Sequence, residues 1–247
     1  MDQGWRSCWA EFLGTFTLCF VGQGVVCANQ MMGGGSGLLG VALAHGLALA
    51  VMITALAPHS GAHFNPAVTF GFLLTGRLSL SSSARYWISQ LLGAVSASYL
   101  LAACFPPAVW QAVSLGAPAL GPGTSVAVGV LVELLLTAFL VTAIWGTAVA
   151  EGAPRLAGLI IGLAVTMDIL IGGPLTGAAM NPARAFGPEL LQRDWADAWV
   201  WYVGPFAGGA LAALAYEFLY LGPARPTPVG TPESGVIEPR PGETAVS

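Results

Sequence analysis

Gly-Ala-His-Phe-Asn-Pro-Ala-Val-Thr-Phe-Gly, residues 61–71, returns 116 residues later as Gly-Ala-Ala-Met-Asn-Pro-Ala-Arg-Ala-Phe-Gly, residues 177–187. Seven of the eleven positions are identical, with Asn-Pro-Ala at the centre. Proline costs little at the first position of a helix, because that N–H has no intrahelical partner. Asparagine just before it is a good N-cap. Asn65-Pro66-Ala67 and Asn181-Pro182-Ala183 therefore each read as the start of a helix. The apolar segments they open, Asn65–Leu74 and Asn181–Leu191, are too short to cross a bilayer.

The rest of the chain says what surrounds these two boxes. Hydrophobic residues make up 55% of the 247 positions and charged residues only 8%, against about 25% charged in a soluble domain. Lipid is the solvent such a surface requires. Lysine is absent, all eight cations are arginine and the net charge is -4, which leaves no basic footprint for nucleic acid. Most of the 33 glycines lie inside apolar runs, where small residues let membrane helices approach closely.

Six stretches are close to the ~20 residues that span a bilayer core: Trp9–Ala28, Leu38–Ala57, Arg85–Phe105, Ser125–Val149, Leu156–Gly172 and Ala198–Leu221. They predict an all-α membrane protein with a membrane domain over 1–221 and inverted halves at 9–105 and 125–221. The Pro-, Gly-, Thr- and Glu-rich tail, 222–247, reads as a disordered cytoplasmic extension. Six spans put Arg6, Arg77, Arg85, Arg155, Arg225 and Arg240 on one side, against Arg184 and Arg193 on the other. The positive-inside rule then makes both termini cytoplasmic. No sorting signal is evident; a plasma-membrane location is expected, with an intracellular membrane as the alternative.

Three spans per half give the halves opposite topology, the inverted-repeat plan that places a site near the midplane. Glu11 and Thr15 correspond to Glu133 and Thr137, and Gly93 to Gly208. The two short helices enter from opposite faces and meet N-terminus to N-terminus. Each terminus carries about +0.5 of an elementary charge, so the pair forms a barrier to cations, a hopping proton included. The Asn65 and Asn181 amides offer donors that orient a passing water.

In these features the chain resembles the aquaporin family over roughly Trp9 to Leu221. The supporting stretches are Ala44–Leu49, Gly61–Val68, Tyr86–Gly93, Val165–Pro174 and Met180–Pro188. Within the family it is most similar to the aquaporin-8 and tonoplast-type branch. The resemblance implies six transmembrane helices plus two re-entrant half-helices, a homotetramer, and passive conduction of water with exclusion of ions. It also implies a filter of His45, Ile169, Ala178 and Arg184. Water-strict members carry an aromatic ring where His45 stands and a His where Ile169 stands. The more apolar opening here implies passage of ammonia and hydrogen peroxide. Ala185 stands where glycerol-conducting relatives carry Asp, which counts against polyols.

Arg184 is also conspicuous without the resemblance, since an intramembrane cation defaults to an aqueous path. Glu11 and Glu133 read as buried acceptors for the backbone N–H groups of the box loops. Asp168 either ties the fifth span to the outer loop or faces the pore mouth. His59 and His63 precede the first box and read as shaping the vestibule, with pH gating the alternative. Cys8, Cys19, Cys27 and Cys104 have no metal or disulfide spacing and read as packing residues. No catalytic, cofactor or metal site is visible, so the chain is read as a non-enzyme whose partners are small neutral solutes, lipid and its own copies. Two rivals stay open: a junction protein on the same scaffold, and a proton-coupled transporter using Glu11, Glu133 or Asp168.

Overall fold

The computed structural model describes residues 3–153 and 156–222. The predicted tail from 223 onward, and Arg155, Arg225 and Arg240 of the charge count, lie outside the described residues. Nine α-helices are described: α1 Gln3–Met31, α2 Gly37–Ser60, α3 Pro66–Leu74, α4 Leu80–Cys104, α5 Pro107–Ala112, α6 Val126–Ile144, α7 Ala157–Thr176, α8 Pro182–Gln192 and α9 Val200–Tyr216. Single π turns extend α6 to Val149 and α9 to Leu221. Helices α1, α2, α4, α7 and the extended α6 are long and apolar enough to cross a membrane. With its π turn, α9 runs from Val200 to Leu221, where the sequence predicts the sixth span.

The helix ends differ from the sequence reading for local reasons. Helix α4 starts at Leu80 rather than Arg85, because Ser79 caps it by accepting from the Ser82 N–H at 3.2 Å. Helices α2 and α7 run on through Pro58 and Pro174 to Ser60 and Thr176. They stop at Gly61 (φ 84°) and Gly177 (φ 77°), left-handed caps at matched repeat positions. The connection 106–124 is not featureless. It holds α5 and a 3-10 turn at Ser114–Gly116, buries Leu115 fully, and bonds back to α7 from the Gly121 N–H to the Leu175 carbonyl at 2.8 Å.

Helix α1 packs along α4, α6 along α9, and α2 crosses α7. Glycines set these distances. A Cβ at Gly93 would sit 2.5 Å from the Phe12 carbonyl oxygen, and one at Gly208 would sit 2.1 Å from that of Leu134. At the central crossing a Cβ on Gly162 would lie 2.3 Å from the Gly46 oxygen. The short helices change sides: α3 packs chiefly on α9, and α8 on α4. Each half thereby buries its half-helix against the other half. Leu43, Leu47 and Val51 of α2 and Leu131, Leu135 and Phe139 of α6 face outward, while Glu11, Gln23, Gln90 and Glu133 are fully buried. Polar groups inside and apolar groups outside is the pattern a lipid solvent requires.

Candidate functional site

Both boxes begin helices as their chemistry requires. The Asn65 Oδ1 accepts from the Ala67 N–H at 2.8 Å, and the Asn181 Oδ1 from the Ala183 N–H at 3.0 Å. Each asparagine then reaches across the pseudo-twofold axis. Asn65 Nδ2 donates to the Met180 carbonyl at 2.8 Å, and Asn181 Nδ2 to the Phe64 carbonyl at 2.8 Å. A side-chain amide has two N–H groups, so one remains on each asparagine.

The loops ahead of the boxes are held in unusual backbone. Ala62 and Phe64 have φ of 55° and 49°, and their counterparts Ala178 and Met180 have 45° and 52°. Such residues cost on the order of 1–3 kcal/mol each and persist only where neighbours enforce them. Glu11 and Glu133 are those neighbours. Glu11 accepts from the His63 and Phe64 N–H groups at 2.9 and 2.7 Å and from the Ser60 hydroxyl at 2.6 Å. Glu133 accepts from the Ala179 and Met180 N–H groups at 2.9 and 2.7 Å and from the Thr176 hydroxyl at 2.7 Å. The Tyr86 hydroxyl and the Trp201 indole N–H close the pattern on the Ser60 and Thr176 carbonyls.

A cavity of about 180 Å³ runs past this junction. Asn65 and Asn181 line it, as do all four candidate filter residues, His45, Ile169, Ala178 and Arg184. Pro66, Ala67, Pro182, Ala183, Glu11 and Glu133 stand behind the wall, where they shape the loops. Apolar side chains such as Leu49, Ile53, Leu140 and Val165 make up most of the remaining lining.

Comparison with known proteins agrees with this architecture. A profile of the Major intrinsic protein family matches residues 1–216. Aquaporin TIP4-4 of Zea mays is 43% identical over 225 residues, covering 87% of each chain. The lens fiber major intrinsic protein of Gallus gallus is 42% identical over 217 residues, covering 86% of this chain and 80% of that one. This chain belongs to the major intrinsic protein family, the aquaporins. The X-ray structure of the aquaglyceroporin from Plasmodium falciparum superposes with a TM-score of 0.77 at 27% identity, covering 86% of this chain and 95% of that one. The aquaporin fold and a tonoplast-type resemblance follow, and with them a passive multi-pass membrane channel for water and small solutes.

At the Arg184 end of this aquaporin's cavity, His45 is buried, with Nδ1 2.8 Å from the Val41 carbonyl oxygen. A carbonyl only accepts, so Nδ1 carries a proton there. Nε2 has no protein partner and rests against Gly22, where a Cβ would come within 2.3 Å. Arg184, 6% exposed, keeps Nε and Nη1 without a protein acceptor. Asp168 neither lines this cavity nor ties to a loop. It is fully buried on α7, and neither carboxyl oxygen has a partner among the described residues.

The other end is aromatic. His63 is buried, hydrogen-bonds Thr69 Oγ1 through Nδ1 at 3.1 Å and stacks on Phe72 at 4.3 Å. Gln90 bridges Glu11 and Thr69 at 2.8 and 3.0 Å. Phe72 packs on the fully buried Trp145 at 4.6 Å, whose indole N–H donates to Glu217 Oε1 at 2.9 Å. Glu217 in turn pairs with Arg77. His59 lies outside this chain of contacts, exposed at the end of α2, its carbonyl accepting from the Ser7 hydroxyl at 2.7 Å. Sequence reasoning missed Phe72, Trp145, Gln90 and Gly22. Their partners lie from 9 residues away, Phe72 to His63, to 79, Gln90 to Glu11, and none belongs to a duplicated motif.

Proposed function

We propose that this aquaporin conducts water and ammonia, and hydrogen peroxide with them, down their gradients while excluding protons and ions. The observation that carries the reading is the paired start of α3 and α8 on one cavity, with Asn65 and Asn181 each retaining an N–H. Two helix N-termini there add positive potential against cations. Two asparagine donors satisfy a water oxygen from either side and so interrupt proton hopping. Arg184 repels cations and offers fixed donors to a solute. Ile169 and Ala178 make the facing wall apolar, which supports ammonia beside water.

The same reading assigns the filter to His45, Ile169, Ala178 and Arg184, and loop support to Glu11 and Glu133. Each acid accepts from two backbone N–H groups and a hydroxyl around its own box loop, which supports passive conduction over a proton-coupled cycle. The chain acts as a homotetramer without catalysis or a cofactor. It sits in the plasma membrane with both termini cytoplasmic, a channel domain over 1–221 and a separate tail over 222–247. Stopped-flow light scattering on proteoliposomes tests conduction. Fast osmotic shrinkage with a low activation energy, and accelerated ammonia and peroxide entry, are expected. Shrinkage at the rate of empty liposomes from intact oligomers would remove the open-pore reading.

A further inference from the structure

The face of the bundle where α1 begins carries a second recess, outside the channel. Helices α1 and α4 part there into a groove of about 560 Å³. Its floor is made of small residues, Gly4 and Cys8 of α1 and Ser89 of α4. The Ser89 hydroxyl is already committed to the Arg85 carbonyl at 3.0 Å. Trp5, Trp9 and Phe12 form the wall, and Trp5 and Trp9 are 53% and 58% exposed. Trp9 stacks on Phe12 at 5.1 Å, and the stack continues through Phe16 and Phe20 at 6.2 and 5.6 Å. An aromatic rail thus leads from the groove along α1 into the apolar depth of the bundle.

At the mouth lies Arg85, exposed and in no ion pair among the described residues. One nitrogen, Nη2, donates to Ser82 Oγ at 3.1 Å, and Nη1 lies over Gly4, where a Cβ would come within 2.8 Å of it. A cation with no ion-pair partner among the described residues, at one end of an apolar trough, complements an amphiphile with an anionic head and a long alkyl tail. Tryptophan belongs to the depth of lipid headgroups in a membrane, which sets Trp5, Trp9 and Arg85 at that level.

We propose that this groove binds a phospholipid with an anionic headgroup, its phosphate on Arg85 and one acyl chain along Trp5, Trp9 and Phe12. In a bilayer the chain alone gives no preference, since surrounding lipid is equally apolar. The headgroup charge makes the selection. One arginine near the surface contributes about 1 kcal/mol toward an anionic lipid, or about fivefold in affinity.

Native mass spectrometry of the purified full chain, titrated with phosphatidylglycerol and with phosphatidylcholine of matched chains, tests it. Wild type is expected to take phosphatidylglycerol about fivefold more tightly. Arg85→Gln is expected to equalise the two lipids, and Arg85→Lys to keep the preference. Cys8→Trp fills the floor and is expected to lower adducts of both, with Ser89→Leu doing so from α4 should the first variant not assemble. Equal binding by wild type, or an undiminished preference in Arg85→Gln, overturns the headgroup assignment. Glycerol phosphate competing at the same concentration as the lipid overturns the lipid in favour of a free phosphate anion. Trp9→Cys chains that cross-link to one another in the membrane assign the groove to a second copy and overturn it as well.

Discussion

Asn65 and Asn181 are tied to each other's loops: each donates from Nδ2, at 2.8 Å, to the carbonyl of the residue that precedes the other. The two half-helices are therefore fixed end to end by a reciprocal pair of bonds, both at buried positions. Asn65→Asp tests what that pair does. The new carboxylate still accepts from the Ala67 N–H, so the helix cap survives. It loses both donors, and it sets a negative charge where two positive helix ends converge. Cation conductance in planar bilayers is the measurement. Current above the wild-type baseline is expected from Asn65→Asp, and a current as low as wild type would show that the asparagine donors do not exclude ions.

Glu11 and Glu133 hold matched loops with unequal reserves. Gln90 adds a fourth donor to Glu11, while the repeat-related position near Glu133 is occupied by Pro205. Replacing either acid by glutamine turns one acceptor oxygen into a donor that faces a backbone N–H. A buried N–H left unsatisfied costs about 1–3 kcal/mol, and the positive-φ residues it restrained are then released. Both Glu→Gln variants are expected to unfold at lower temperature in detergent and to lose water flux. At position 11 the Gln90 amide can turn to offer its oxygen instead, so Glu133→Gln is expected to be the more damaging of the two. Equal thermal shifts would remove Gln90 from the account.

Gly22 is the floor under the His45 ring. A Cβ there would meet Nε2 at 2.3 Å, Cδ2 at 2.5 Å and Cε1 at 2.9 Å, so the ring must move. Overpacking of this kind costs about 1–3 kcal/mol. The ring lines the cavity on its other side, and the displacement narrows the opening opposite Ile169 and Ala178. Gly22→Ala is expected to fold, to slow water and to slow ammonia more strongly. Unchanged permeabilities in proteoliposomes would place the narrowest point of the channel elsewhere.

What could be read from the sequence is what the duplication exposes. The Asn-Pro-Ala repeat marks the two half-helices, and the shared four-residue spacing of Glu11 to Thr15 and Glu133 to Thr137 singles out the two acids. The six apolar stretches give the spans, with ends shifted where Ser79, Gly61 and Gly177 cap the helices. The remainder has no second copy to reveal it. Phe72, Trp145 and Glu217 meet across 72 and more residues of chain, and their counterparts in the other half are of different chemistry. Gly22 is one of 33 glycines, and only the approach of His45 distinguishes it. Asp168 followed neither alternative the sequence offered, because its place inside the α7 packing depends on helix rotation, which a weakly amphipathic segment does not encode.

The Trp145–Glu217–Arg77 contact separates the weight of two bonds made by one carboxylate. The ion pair with Arg77 lies at the surface, where such pairs contribute roughly 0–1 kcal/mol. The indole bond is different, because Trp145 is fully buried and its N–H has no other acceptor among the described residues. Removing that acceptor costs about 1–3 kcal/mol and loosens the ring on which Phe72, and through it His63, is stacked. Arg77→Ala is therefore expected to leave thermal stability and water flux near wild type. Glu217→Ala is expected to lower both, while Glu217→Gln, whose carbonyl oxygen still accepts from the indole, is expected to restore them. Thermal unfolding and stopped-flow permeability of the three variants check the ranking. If Arg77→Ala proves as damaging as Glu217→Ala, the ion pair and not the buried indole bond positions this end of the channel.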